Sequence, residues 1–166
     1  MNSVSPSSKK QRVLVVENHQ FFRENLVNWI GRQEQLECCG EAESVSDAQS
    51  AVDKQRPDLL LLDLSLRGST GFDLLSWLKS RELKLPVIVL SQYEESQYAT
   101  PALEAGARGY VSKGVATEEL LPAINAVLDG NCTLVVAAPF HPAVRPTLAT
   151  SRRFKSKNAS SVFLRD

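Results

Sequence analysis

Several residues able to do chemistry stand just past short apolar runs of this chain. Glu17, Asn18 and His19 follow the run at 13–16, and Asp63 follows the run at 59–62. Ser91 follows 87–90, while Ser112 and Lys113 follow 109–111. Brought together, they offer two acids, an amide, two hydroxyls and an ammonium. That set suits a carboxylate that becomes phosphorylated. Asp63 would attack a phosphoryl group, a divalent cation held by carboxylates would neutralise its oxygens, Lys113 would pair with the product anion, and Ser91 would donate a hydrogen bond to it.

These residues converge only if the runs before them are neighbouring strands. The runs at 13–16, 59–62 and 87–90 are too short for helices, and 36–40 and 109–111 are weaker strand candidates. Apolar runs without alternation predict a parallel sheet covered on both faces. Helical patterns fill the gaps. Residues 19–32 carry Phe22, Leu26, Trp29 and Ile30 on one stripe. Ser46 with Gln49 reads as a capping box for a second helix toward Lys54. Thr70 caps a third, with Leu74, Leu75 and Leu78 at helical spacing; 94–105 and 117–128 are the fourth and fifth. The expected fold is α/β, a doubly wound five-stranded parallel sheet with the βα unit repeated five times. Ligands of such sheets bind beyond the carboxyl ends of the strands. The expected divisions are a disordered N-terminal segment at 1–11, the domain at 12–130 and a basic, flexible tail at 131–166.

Composition narrows the function. The chain has 166 residues, 43% of them hydrophobic, and 19 basic residues balance 19 acidic ones. A uniformly basic nucleic-acid binder is excluded. From His141 onward there are six cations and one anion, which leaves 13 basic and 18 acidic residues before it. An acidic body therefore carries a basic tail. Cys38, Cys39 and Cys132 are odd in number and two are adjacent, so no bridge framework or C-x-x-C clamp is expected. His19 and His141 sit alone, without metal-ligand spacing. The N-terminus lacks an apolar signal region and no window approaches ~18 apolar residues. A cytoplasmic protein with no membrane contact is expected.

Four stretches, in order, carry a resemblance. They are V-L-V-V-E-N-H-Q-F-F-R-E-N-L, R-P-D-L-L-L-L-D-L-S-L-R-G-S-T-G-F-D-L-L, P-V-I-V-L-S and A-L-E-A-G-A-R-G-Y-V-S-K. Together they resemble the receiver domain of two-component response regulators, of the NarL/LuxR type, over residues ~12 to ~130. The resemblance implies a flavodoxin-like fold and a signalling module, not an enzyme. It implies a phosphoprotein in phosphorelay signal transduction, with a sensor histidine kinase or phosphotransfer protein as donor and a protein output partner; a homodimer is a further candidate. By it, Asp63 is the phosphoacceptor, Lys113 its charge partner, Ser91 the switch hydroxyl and Tyr110 the aromatic that follows. Glu17, Asn18, Asp63 and the backbone carbonyl of Ser65 would hold Mg2+.

The departures from that pattern are specific. Asn18 stands where the family places an acid, which predicts weakly bound magnesium because an amide supplies only a dipole. Arg67 replaces a common proline. Pro101 falls inside the fourth helix, where it predicts a kink or late start, whereas Pro122 falls near the start of the fifth. No helix-turn-helix pattern can be drawn after Gly130, so this chain is not expected to read DNA sequence. Phe21, Phe22, Trp29 and Trp77 read as core or flank. Asn18 also opens an alternative, a pseudo-receiver that binds proteins without phosphorylation. An enzyme of the haloacid-dehalogenase type would need a second aspartate two residues after Asp63, where Ser65 stands. A flavin-type phosphate cradle fails because glycines and hydroxyls do not cluster after Val16.

Overall fold

In a computed structural model of the chain, residues 9–92, 96–114, 116–135, 151–155 and 161–165 are described. The chain alternates strand and helix. β1 (Gln11–Val16), α1 (Gln20–Gly31), β2 (Leu36–Ala42), α2 (Val45–Gln55) and β3 (Leu59–Asp63) come first. A short hairpin, β4 (Ser65–Leu66) with β5 (Ser69–Thr70), leads into α3 (Gly71–Ser80). β6 (Val87–Ser91), α4 (Ser96–Glu104), β7 (Gly109–Ser112), α5 (Ala116–Leu128) and β8 (Cys132–Val135) follow. Within the expected tail, β9 (Ser151–Lys155) and β10 (Ser161–Arg165) are also strands.

The sheet order is β2-β1-β3-β6-β7-β8-β10-β9, parallel from β2 through β10, with β9 antiparallel to β10. The doubly wound parallel sheet is as the sequence predicts. The expectation of five strands is corrected: β8 pairs with β7 as a sixth, because its run of Leu134 and Val135 finds apolar cover on both faces. The expected disordered segment at 1–11 lies mostly outside the described residues, as do 136–150, including His141, and 156–160.

Strand alternation explains the two cores. Val13, Val15, Leu59, Leu61, Ile88, Leu90 and Val111 pack with Leu26 and Ile30 of α1 and with Leu120, Ile124 and Val127 of α5. Leu14, Val16, Leu60, Leu62, Val87 and Val89 pack with Val52 of α2, Leu74, Leu75 and Leu78 of α3, and Ala99 and Ala102 of α4. β1, β3 and β6 bury both faces, which is why their sequences are apolar without alternation. β2 is bulged opposite Val13 and Leu14, at the Cys38–Gly40 stretch. The three cysteines are unpaired. No helix of the described residues is long and apolar enough to cross a membrane.

Caps and prolines correct the sequence reading in two places. α2 is capped by Ser44, whose side chain accepts the Asp47 N–H, and not by Ser46; Ser44 is extended and has an acid three residues on. Thr70 forms the expected cap of α3, completed into a capping box by Asp73. Pro101 lies within α4 as expected. Pro122 lies deep in α5, which begins at Ala116, and not near its start. At that depth its missing N–H removes an intrahelical bond. The apolar contacts of Leu120, Ala123 and Ile124 hold α5 to the sheet on either side of it.

Candidate functional site

The site lies where the strand order reverses. From β1 the chain steps outward to β2 and then returns to place β3 on the other side of β1. The crevice between the carboxyl ends of β1 and β3 is the expected binding place of such a sheet. Register fills it: Val16 pairs with Leu62, Asp63 with Leu90, and Ser91 with Ser112. Glu17, Asp63, Ser91 and Lys113 thus end four adjacent parallel strands. The Lys113 N–H donates to the Ser91 carbonyl at 2.7 Å, carrying the ladder one residue past β7.

Burial makes the charges in this crevice matter. Glu17 and Asp63 are 1% and 3% exposed. The Lys113 ammonium lies 2.6 Å from Glu17 Oε2 and 3.2 Å from Asp63 Oδ2. The first contact is a hydrogen bond. The second is at ion-pair distance without an aligned donor, so Asp63 Oδ2 is left buried with no hydrogen bond. Burial pushes the Asp63 carboxyl above its ordinary range; Lys113 pulls it down, Glu17 pushes it up, and the Ser65 backbone N–H stabilises the charged form. Ser65, expected to offer its carbonyl to a metal, thus also presents its N–H to this carboxylate. Phe22 underlies the ammonium, its ring centroid 4.6 Å from Nζ.

Ser91 and Tyr110 form the next layer. Both are buried, at 1% and 0% exposure. Burial raises the Tyr110 phenol, against a side-chain hydrogen bond with Ser91 that lowers it, while Tyr98 of α4 raises it. The switch pair expected from the sequence is therefore in contact, and the phenol turns inward beneath α4.

Four contributors escaped the sequence reading. His19 does not sit alone: its Nδ1 lies 3.3 Å from Glu17 Oε1. Phe22 borders the site instead of serving only as flank. Arg23 donates to the Glu17 carbonyl at 2.7 Å and pairs with Glu41 and Glu43 at 3.2 and 2.7 Å, fixing the end of β1. Its signal was a cation three and seven residues before the buried Leu26 and Ile30, on the inward stripe of α1. Gly71 lets α3 approach the loop after Asp63. A Cβ there would lie 2.7 Å from the Asp63 carbonyl oxygen and 3.0 Å from Leu64 Cα. Arg67 is exposed near the hairpin tip, before Gly68 in the left-handed region at φ +72°.

The pocket fits a divalent cation. Glu17, His19 and Asp63 offer ligand atoms within 4.8 Å of one another. Asn18 Oδ1 and Asp63 Oδ2 are buried oxygens without donors, and such atoms are satisfied by an ion. Glu17, Asn18 and Asp63 offer oxygen atoms, the kind of ligand magnesium takes, two of them from carboxylates and one from an amide.

Known proteins resemble this chain in sequence and fold. The chain is 35% identical over 123 residues to the DNA-binding transcriptional activator DevR/DosR of Mycobacterium tuberculosis, covering 74% of this chain and 57% of that one. It is 30% identical to the response regulator GacA of Pseudomonas aeruginosa, covering 72% and 56%. This chain thus spans a little over half the length of these relatives. A LuxR-family two-component response regulator from Aurantimonas sp. SI85-9A1 superposes with a TM-score of 0.70 at 29% identity, covering 74% of this chain and 87% of that one. The signal receiver domain of Mycobacterium tuberculosis NarL gives 0.70 at 28%, covering 74% and 99%. Residues 13–125 match the response regulator receiver domain. With an acid at the end of β3 and a lysine past β7 meeting in one buried crevice, the chain belongs to the response regulator receiver domain family.

Proposed function

We propose that the chain accepts a phosphoryl group on Asp63 from the phosphohistidine of a sensor histidine kinase or phosphotransfer protein. The observation that carries this is the buried Asp63 carboxylate, with an ammonium 3.2 Å away and one oxygen lacking any donor. A carboxylate oxygen of Asp63 attacks phosphorus, the P–O bond forms, the P–N bond breaks, and the imidazole leaves with a proton. Magnesium held by Glu17, Asn18, Asp63 and the Ser65 carbonyl would supply neutralisation of the phosphoryl oxygens. Lys113 gives up part of its pairing with Glu17 to meet the new anion. Ser91 turns its hydroxyl to a phosphoryl oxygen, which breaks its contact with Tyr110 and frees the phenol beneath α4. The output is then a changed surface at α4, β7 and α5, read by a protein partner. A cytoplasmic location accords with the three unpaired thiols.

Asn18 favours a second reading, a pseudo-receiver. With an amide there, Lys113 balances one of the two buried carboxylates, so the pocket carries one net negative charge where an acid at position 18 would make it two. Incubation with acetyl phosphate and magnesium, followed by intact mass, separates the two. One phosphoryl adduct, lost in Asp63→Asn, is expected. An adduct unchanged in Asp63→Asn refutes the assignment, and no adduct with any small phosphodonor establishes the second reading.

A further inference from the structure

His19 stands on the rim, more than half exposed, yet its ring faces a carboxylate that the crevice buries. It is the N-cap of α1, and its side chain makes no capping hydrogen bond, so the helix does not occupy the ring. Its backbone N–H donates to Glu17 Oε1 at 2.9 Å, which holds the residue against that acid. Its Nδ1 lies 3.3 Å from the same oxygen. Two ligands bound tetrahedrally to one ion at about 2.0–2.1 Å lie about 3.3 Å apart, so this spacing already matches one edge of a coordination sphere. The other Glu17 oxygen is engaged by Lys113 at 2.6 Å, so an ion would use the second lone pair of Oε1, beside the His19 N–H that it accepts. Asp63, 3% exposed, completes the cluster within 4.8 Å and brings an oxygen with no donor.

We infer that His19 is a metal ligand of this pocket and that it makes the site select a first-row transition ion over magnesium. Two features push the same way. Magnesium demands hard, preferably anionic oxygen and gives up its water reluctantly, so the amide at Asn18 weakens it most. An imidazole nitrogen adds little for magnesium but suits cobalt, nickel and zinc. The ordinary alternative is a hydrogen bond from Nδ1–H to Glu17, in which case no nitrogen reaches the ion. The inference rests on the same crevice as the phosphoryl-acceptor reading, but it concerns which ion sits there.

Titration of the full chain with Co2+ and with Mg2+, by calorimetry and by cobalt visible absorption, tests it. His19→Gln should lower Co2+ affinity by about tenfold and change its visible band, while Mg2+ affinity stays within about twofold. Equal losses for both ions, or no loss for either, overturn the inference. So does a thiolate-to-cobalt absorption that persists in His19→Gln, because it assigns the ion to Cys38 and Cys39. Phosphoryl adducts read by mass in magnesium keep the two readings apart. An adduct with an unchanged cobalt-to-magnesium ratio overturns the His19 role alone. A changed ratio without any adduct supports the His19 role and removes only the phosphoacceptor.

Discussion

Replacing Lys113 by methionine keeps the side chain's length and removes its charge. In the parent, one ammonium serves two carboxylates, at 2.6 Å to Glu17 and 3.2 Å to Asp63, and all three side chains are at most 7% exposed. Breaking a buried pair by removing one partner costs about 3–5 kcal/mol, because the remaining charge is left uncompensated. For a chain of this size that is a fall in Tm on the order of 10 °C. The loss should depend on pH. Asp63 is already pushed above its ordinary value of 3.8 by burial and by Glu17, and Lys113 works against that shift. Without Lys113 the folded-state pKa of Asp63 rises further. An acid with a raised folded pKa contributes stability that is fully present below its unfolded value and is lost as pH rises through the folded one. The deficit of Lys113→Met should therefore be small at about pH 4 and full near neutrality. Urea unfolding of both proteins in EDTA, across that range, measures it. Adding Asp63→Asn to Lys113→Met should recover part of the deficit at neutral pH, since it removes one of the stranded charges. A deficit equal at both ends of the range, or a double variant no more stable than Lys113→Met, refutes the electrostatic account.

Gly71→Ala should lower stability by about 1–3 kcal/mol and slow phosphorylation, because its Cβ meets backbone at 2.7 Å and must displace the loop after Asp63; thermal melting and adduct kinetics read the two effects. Asn18→Asp should tighten magnesium by about 1 kcal/mol, from the restored ligand charge, as seen in a fluorescence titration. Tyr110→Phe should cost about 1 kcal/mol of folding stability through the lost Ser91 hydrogen bond. It should leave the Asp63 adduct intact by mass, because the phenol sits behind Ser91 and not against the carboxylate.

The sequence by itself determined five of the strands (β1, β2, β3, β6 and β7), their parallel arrangement and the identity of the rim residues. Runs such as 59–62 have no polar alternation, and such runs are stable only when both faces of a sheet are covered. The positions after them, Glu17, Asp63, Ser91 and Lys113, follow from that alone, because a parallel sheet delivers every carboxyl end to one side. Helix ends were legible less well. Ser44 and Ser46 offer the same hydroxyl two residues apart, and only the turn of the backbone chose between them.

Tertiary structure decided what each rim residue meets. Glu17 lies only two residues from His19, but whether its carboxylate turns to the ring depends on how β1 ends. Arg23 sets that ending by reaching the Glu17 carbonyl across the first turn of α1, and two acids at the end of β2, Glu41 within the strand and Glu43 just past it. The sixth strand and the close approach at Gly71 likewise depend on partners distant in the chain. Propensity and periodicity are properties of neighbours along the sequence. Charge balance, burial and ligand geometry arise from groups brought together across it, such as Glu17 and Lys113, 96 residues apart and 2.6 Å from each other.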